Sequence, residues 1–184
     1  KFELPHLQDY VKEGTSTNTS IGNYFSTMLD QSMNWNDAEK LCSQWGGHFA
    51  LKGVMSVEDA KRAVDIGCTG IMVSNHGGRQ LDGVNSSIST LPEIKKAVSN
   101  IEVLMDGGIS SGQDILKAIA MGAEGVMIGR SFVYGLSVGG KKGVTKSLEI
   151  LNKELDMTMA LCGRRDIKDV GRDIIKDCPF FEKN

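Results

Sequence analysis

With 184 residues, 40% of them apolar, the chain can bury one sizeable core, or one domain with an appendage. A formal net charge of −2 with scattered basic residues leaves no electrostatic footprint for nucleic acid, and no stretch approaches the ~20 apolar residues of a membrane span. Cys42, Cys68, Cys162 and Cys178 lack metal-ligand spacing, and with no secretory pattern they read as reduced thiols in a cytosolic setting.

Residues 12–23 are polar and aperiodic, which predicts a loop, and Tyr24 to Gln31 predicts a short helix with Phe25, Met28 and Leu29 on one face. Residues 1–35 are thus expected to form a segment apart from an α/β domain over 36–184. Asn34 or Asn36 can cap a helix to about Gln44, with Ala38, Leu41 and Trp45 spaced to bury one stripe.

A strand–helix unit then repeats four times. Phe49-Ala50-Leu51 precedes Lys52-Gly53, and Ser56 opens a helix whose buried face is Val57, Ala60 and Val64, stopped by Gly67. Gly70-Ile71-Met72-Val73 is short, apolar and bounded by glycines, a buried strand, and its helix is expected from a capping box at Thr90-Leu91-Pro92-Glu93. Val103-Leu104-Met105 leads to a helix from about Gln113 to Met121. Val126-Met127-Ile128 leads through Gly129-Arg130 to a short helix. A stripe of Val144, Leu148, Leu151, Leu155 and Met159 makes a further helix, with another short one near Ile167 to Ile175. Landmarks at the strand ends (Lys52, Asn75, Asp106, Gly129) are 23, 31 and 23 residues apart, which suits parallel strands joined by helical crossovers. Four such units make either an open α/β sheet or half of an eight-stranded barrel, which needs ~250 residues when whole.

The strand ends carry the polar chemistry. Lys52 is either a snorkelling surface lysine or a point charge for an anion. After the second strand, Ser74-Asn75-His76-Gly77-Gly78-Arg79-Gln80 holds an imidazole and a guanidinium, brought back on themselves by two glycines. Arg79 suits a carboxylate gripped by two parallel hydrogen bonds, and a neutral His76 could take a proton from a neighbouring hydroxyl. Together they describe a 2-hydroxy acid. The plainer alternative is a polar loop with a structural histidine. The loops Asp106–Gly112 and Gly129–Arg130 are glycine turns into helix N-termini, which favour a phosphate; the alternative is that the glycines only permit tight turns.

Read together, these residues resemble the C-terminal half of the FMN-dependent 2-hydroxy-acid dehydrogenase/oxidase family. The similarity rests on Leu51-Lys52-Gly53-Val54, on Ser74 through Gly83, on Asp106-Gly107-Gly108-Ile109 and on Met127-Ile128-Gly129-Arg130, and runs from about Met33 to Ile175. Ser32 to Asp37 and the helix after them look most similar to the membrane-associated bacterial L-lactate and (S)-mandelate dehydrogenases. The resemblance implies a (β/α)8 barrel, FMN as cofactor and L-lactate as substrate. His76 would be the base, Arg79 the carboxylate ligand and Lys52 the charge beside the flavin ring. Asp106, Gly107, Gly108, Ser110, Gly129 and Arg130 would hold the phosphate and ribityl chain. Ser110 stands where an arginine is usual, so weaker FMN binding is expected. Lys1 to Pro5 resemble the stretch just beyond the mobile loop that follows the fourth strand. The first four strands, the substrate tyrosines and the aspartate that orients the base would then come from outside this sequence; neither Asp82 nor Asp106 matches that aspartate. The implied partners are a separate N-terminal half or a second copy, and contact with the inner face of the bacterial membrane follows by analogy only. The competing readings are a catalytically silent half-barrel that binds a phosphate-bearing ligand, and a relic without function.

Overall fold

The computed structural model describes residues 30–176, and the chain divides between Lys40 and Leu41 into two units. Most of the helix expected over Tyr24 to Gln31 lies outside the described residues, and Gln31 sits in a turn. In the first unit, α1 (Trp35–Trp45) begins from Asn34. Asn34 Oδ1 accepts from the Asn36 amide at 2.9 Å while Asp37 Oδ2 accepts from the Asn34 amide at 3.0 Å. Asn34 is therefore the cap, and Asn36 lies inside the helix.

In the second unit, α1 ends with Cys42 buried but with Leu41 and Trp45 exposed. The expected buried stripe is only partly buried. The strand that follows is the edge of its sheet, so among the described residues no further strand lies beyond it for these side chains to cover.

The sheet has four parallel strands in sequential order: β1 (Ala50–Val54), β2 (Gly70–Val73), β3 (Glu102–Met105) and β4 (Gly125–Val126). β1 continues past Lys52, so Lys52 lies inside the strand rather than closing it, and the register slips between Lys52 and Val54. β4 pairs regularly over only two residues. Met127 adds one amide bond to Met105 O at 2.9 Å, and Ile128 has left the ladder. An edge strand that runs into a glycine turn has nothing on its far side to prolong the pairing.

Side chains alternate across each strand. Ile71, Val73, Val103 and Met105 point to the helical side and are almost wholly buried, with Ala60, Ala63, Leu91 and Ile94 from the covering helices. α2 (Val57–Asp65) starts at Ser56, whose hydroxyl accepts from the Asp59 amide at 3.1 Å, and stops at Gly67 with φ 90°. Its buried residues are Ala60 and Ala63, with Val57 and Val64 only half-buried. α3 (Ser87–Ala97) begins three residues before the expected capping box. Thr90 Oγ1 donates to the Ser87 carbonyl inside the helix, and Pro92 falls in the second turn instead of the first. Ser86 makes the turn: its backbone is extended and its carbonyl accepts from both the amide and the hydroxyl of Ser89.

α4 (Gly112–Ala120) has a complete capping box between Ser111 and Asp114. α5 (Arg130–Leu161) is two limbs folded at Gly139-Gly140, where Gly140 takes φ 55°. The first limb is the short helix expected after β4, and the second carries the predicted stripe. Of that stripe Leu151 is buried, and Leu155 and Met159 pack on Leu116, Ala120 and Val170; Leu148 is exposed. The final segment is two 3-10 turns, Ile167–Asp169 and Arg172–Ile174, instead of one helix.

Candidate functional site

The other face of the sheet ends in a polar cluster. Lys52 and Met72 share a register row with Leu104, and Ser74 and Asp106 lie two residues further along β2 and β3 on that same side. Lys52 Nζ donates to Ser74 Oγ at 2.7 Å and pairs with Asp106 Oδ2; Ser74 Oγ–H donates to Asp106 Oδ1. Lys52 is therefore fixed by two partners and is not a freely snorkelling surface lysine. The Asp106 carboxylate is spent on Lys52 and Ser74. Asp82, the other acid near the motif, accepts from its neighbour's amide, that of Gly83.

His76 begins a tight 3-10 turn, His76–Gly78, in which three consecutive residues have positive φ: 58°, 66° and 72°. Gly77 and Gly78 take this region without penalty. For His76 it costs on the order of 1 kcal/mol. Two bonds hold the turn: the His76 amide donates to Ser74 Oγ at 3.1 Å, and the Gly78 amide donates to Asn75 O at 3.1 Å. Ser74, almost wholly buried, thus links His76 to the Lys52–Asp106 pair. It lay inside the singled-out motif without a role assigned. The period-2 alternation that puts it beside Lys52 was the available signal.

The loop after β3 differs from expectation in one respect. Free amides at the start of α4 were to attract a phosphate, but the protein's own carboxylates take them. Asp114 Oδ2 accepts from the amides of Ser110 and Ser111 and from both hydroxyls, at 2.8–3.1 Å, and Glu154 Oε2 accepts from the Gly112 amide at 2.9 Å. Both donors of Ser110 are therefore engaged, and Ser110 faces the cleft only as wall. Burial pushes the Asp114 carboxyl up, but the hydrogen bonds from Ser111 and Ser110 outweigh it, and the net shift is below the ordinary 3.8. A lowered folded value means the cap stabilises fully above that ordinary value and is lost as pH falls below it. Asp114→Asn is expected to cost about 1 kcal/mol at neutral pH. That deficit should hold at neutral pH and begin to close only as pH falls below 3.8, as read from urea midpoints of the two chains taken from pH 7 down to about 2.

Phosphate-binding capacity remains at Gly107-Gly108-Ile109 and at the start of α5. Gly107 is a packing glycine: a Cβ there would meet Asn75 Oδ1 and Ser87 Oγ at 3.1 Å. Gly108 (φ 78°) and Gly129 have open space where a Cβ would be, so backbone is accessible at both. The first turn of α5 carries no acid and Gly129 supplies no side-chain cap, which leaves the helix dipole uncompensated. Arg130 leans across to Gly77 O at 3.4 Å, and Ser131 Oγ–H donates to Ile109 O at 3.3 Å, tying the two loops together.

One cleft of about 460 Å³ gathers these groups. Lys52, His76 and Arg79 stand on its wall, and Asp106, Gly107, Gly108, Ser110, Gly129 and Arg130 line the rest. All the expected site residues therefore meet at the strand ends. Tyr134, from the first limb of α5, lines it as well and was not anticipated. No ion pair engages Arg79 among the described residues, which leaves its guanidinium available to an anion.

Comparison with known proteins gives the same picture. The family model described as FMN-dependent dehydrogenase matches residues 3–177. An L-lactate dehydrogenase of Caulobacter sp. (strain K31) is 43% identical over 175 residues, covering 93% of this chain and 46% of that protein. A 2-hydroxyacid oxidase of Dictyostelium discoideum is 48% identical over 158 residues, 85% of this chain and 41% of that one. Among solved structures, mandelate oxidase with (S)-4-hydroxymandelic acid aligns with a TM-score of 0.73 at 46% identity, over 75% of this chain and 39% of that one. A mandelate oxidase variant with the monooxide FMN adduct aligns with the same score and identity. The chain spans less than half the length of these relatives. It belongs to the FMN-dependent dehydrogenase family, and its four parallel strands are part of that family's α/β barrel.

Proposed function

We propose that this chain supplies the substrate- and phosphate-facing half of an FMN-dependent enzyme that oxidises an L-2-hydroxy acid, with L-lactate to pyruvate as the reaction. The observation that carries this reading is the convergence of Lys52, His76, Arg79 and two glycine-rich loops in one cleft. The residues fit FMN at its phosphate end, where open backbone at Gly108 and Gly129, the uncapped start of α5 and Arg130 can hold a dianion. Ser110 adds nothing to that affinity, since Asp114 takes both of its donors. When bound, FMN supplies the acceptor for the hydride equivalent that leaves the substrate.

The protein's own groups then divide the work. Arg79 binds the substrate carboxylate through two parallel hydrogen bonds and so fixes which face of C2 is presented. His76, as the neutral imidazole, takes the hydroxyl proton as C2 is oxidised to the 2-oxo acid. Lys52 holds a positive charge at the cleft wall, and Asp106 and Ser74 keep its ammonium in place. The free edges of β1 and β4 are parallel-strand edges, which four further strands would close into a barrel.

The test is to mix this chain with the N-terminal four βα units of the Caulobacter lactate dehydrogenase. Recovery of visible flavin absorbance and of lactate-dependent dye reduction is expected in the mixture and in neither part alone. Failure of the mixture to bind FMN sinks the proposal. FMN binding without turnover of L-lactate would instead favour a silent phosphate-binding half-barrel. Sedimentation of this chain alone at several concentrations shows whether a second copy can close the same edges.

A further inference from the structure

The first limb of α5 carries a hydroxyl that none of the described residues uses. We infer that Tyr134 is an anion-binding residue: its phenolic O–H donates to the phosphate group held at the start of α5, beside Arg130. The inference rests on the reading of this cleft as the phosphate end of the FMN site, and adds to it a ligand that neither charge nor glycine spacing reveals. It can be tested without flavin or turnover.

Tyr134 follows Arg130 by one helical turn, so the two side chains share a face of α5, and both line the cleft together with Gly108 and Gly129. Helical side chains lean back toward the N-terminus. The tyrosine ring therefore covers the turn before its own Cα, which is the turn whose amides have no partner within the helix. The ring is 64% exposed, and among the described residues its hydroxyl has no hydrogen-bond partner. The other polar groups at this end of the cleft are engaged. Ser131 Oγ–H donates to Ile109 O, Asp114 takes both donors of Ser110, and Asp106 is held by Lys52 and Ser74. Arg130 and Tyr134 are left to meet an anion from the side. Their contributions differ in kind. The guanidinium neutralises charge, while the phenol is a neutral donor for a group whose oxygens only accept. No acid stands in the first turn of α5 to compete for that donor.

The experiment is a nuclear magnetic resonance titration of the full 184-residue chain with inorganic phosphate, followed at the amides of Gly108 and Gly129. Chloride holds the ionic strength constant within each titration. Tyr134→Phe removes only the phenolic oxygen from an exposed ring, so the fold is expected to stand, and the amides of Val73 and Met105 in β2 and β3 check it. The expected result is a phosphate Kd raised about fivefold, less than the full worth of a bond to a charged group because the cleft is open to water. Arg130→Gln separates the two roles. Its deficit should shrink as salt rises, because it removes a charge, whereas the Tyr134→Phe deficit should stay the same. A Tyr134→Phe Kd within about twofold of the parent overturns the inference. A Tyr134→Phe deficit that fades with salt as the Arg130→Gln deficit does also overturns it, since the loss would then belong to the guanidinium. A parent chain whose Gly108 and Gly129 amides ignore phosphate would remove the cradle and the inference together. A Tyr134→Phe chain that binds as the parent does would remove the phenol alone and leave the proposed cofactor site standing.

Discussion

Gly112→Ala is expected to destabilise the second unit by about 3 kcal/mol, at the upper end of what one excess methyl group costs in a tight contact. Gly112 is the first residue of α4, and its Cα rests on the backbone of the second limb of α5. A Cβ at this position would overlap the Leu155 nitrogen and the Glu154 carbonyl carbon and stand 2.6 Å from Glu154 Cβ. These are mainly helix backbone atoms, so no rotamer change can make room. The same contact carries the bond from the Gly112 amide to Glu154 Oε2. Moving α4 outward to admit the methyl group breaks that bond and leaves a half-turn of helix start unpaired. It also shifts Ser111 and Ser110, of which Ser110 lines the cleft. A urea titration should show the midpoint falling with the slope unchanged, as expected for a change in stability without a change in the surface exposed. Gly108→Ala is the contrast: that site has open space but φ 78°, so its cost comes from backbone strain and should be nearer 1 kcal/mol. If Gly112→Ala proves no worse than Gly108→Ala, the close packing of α4 on α5 is wrong.

Contacts of this kind were invisible in the sequence. Gly112 reads there as one more residue of a glycine turn, and nothing local announces that a helix starting eighteen residues later will fold back at Gly139-Gly140 and press upon it. By contrast, the strands β2 and β3 were legible almost to the residue, because both are flanked by two neighbours and their apolar runs are buried. The errors gather at the edges of the sheet. Lys52 was placed at a strand end, though β1 runs on through Val54. Ile128 was counted in a strand that had already ended, and Leu41 and Trp45 were expected in a core, yet both are exposed among the described residues. Amphipathic spacing records which side chains share a face, and exposure at a sheet edge records which of them the described neighbours cover. The site residues were legible for a different reason: apart from Lys52, which lies inside β1, they fall in the loops that follow the strands, so placing the strands placed the loops. What spacing could not show was how they bond to one another. Asp106 and Ser110 were expected to face a ligand, yet the one is spent on Lys52 and Ser74 and the other on Asp114.

In the barrel completed by a relative's N-terminal half, His76→Asn is expected to lower kcat by about 10³-fold with FMN content unchanged. Asparagine is the informative replacement because it adopts positive φ more readily than histidine does. The turn from His76 to Gly78 and the amide bond to Ser74 should therefore persist, and the loss belongs to the imidazole. Alanine would confound the two, since it resists φ 58° and would also release the loop. Arg79→Lys should behave differently. A lysine keeps the charge but not the fork, so the substrate is held by one contact in place of two, and its orientation over the imidazole is no longer fixed. The expected result is a raised KM together with a kcat loss of about tenfold to a hundredfold, because orientation contributes to both. Pyruvate, which shares the carboxylate but lacks the transferable proton, should bind His76→Asn nearly as well as the parent and Arg79→Lys distinctly less well. Steady-state dye reduction gives the first pair of numbers, and flavin difference spectra with pyruvate give the second. A His76→Asn barrel with parent-like kcat would remove the imidazole from the proton transfer. Loss of pyruvate binding in His76→Asn, with Arg79 intact, would place the carboxylate at the imidazole and overturn the division of roles between the two residues.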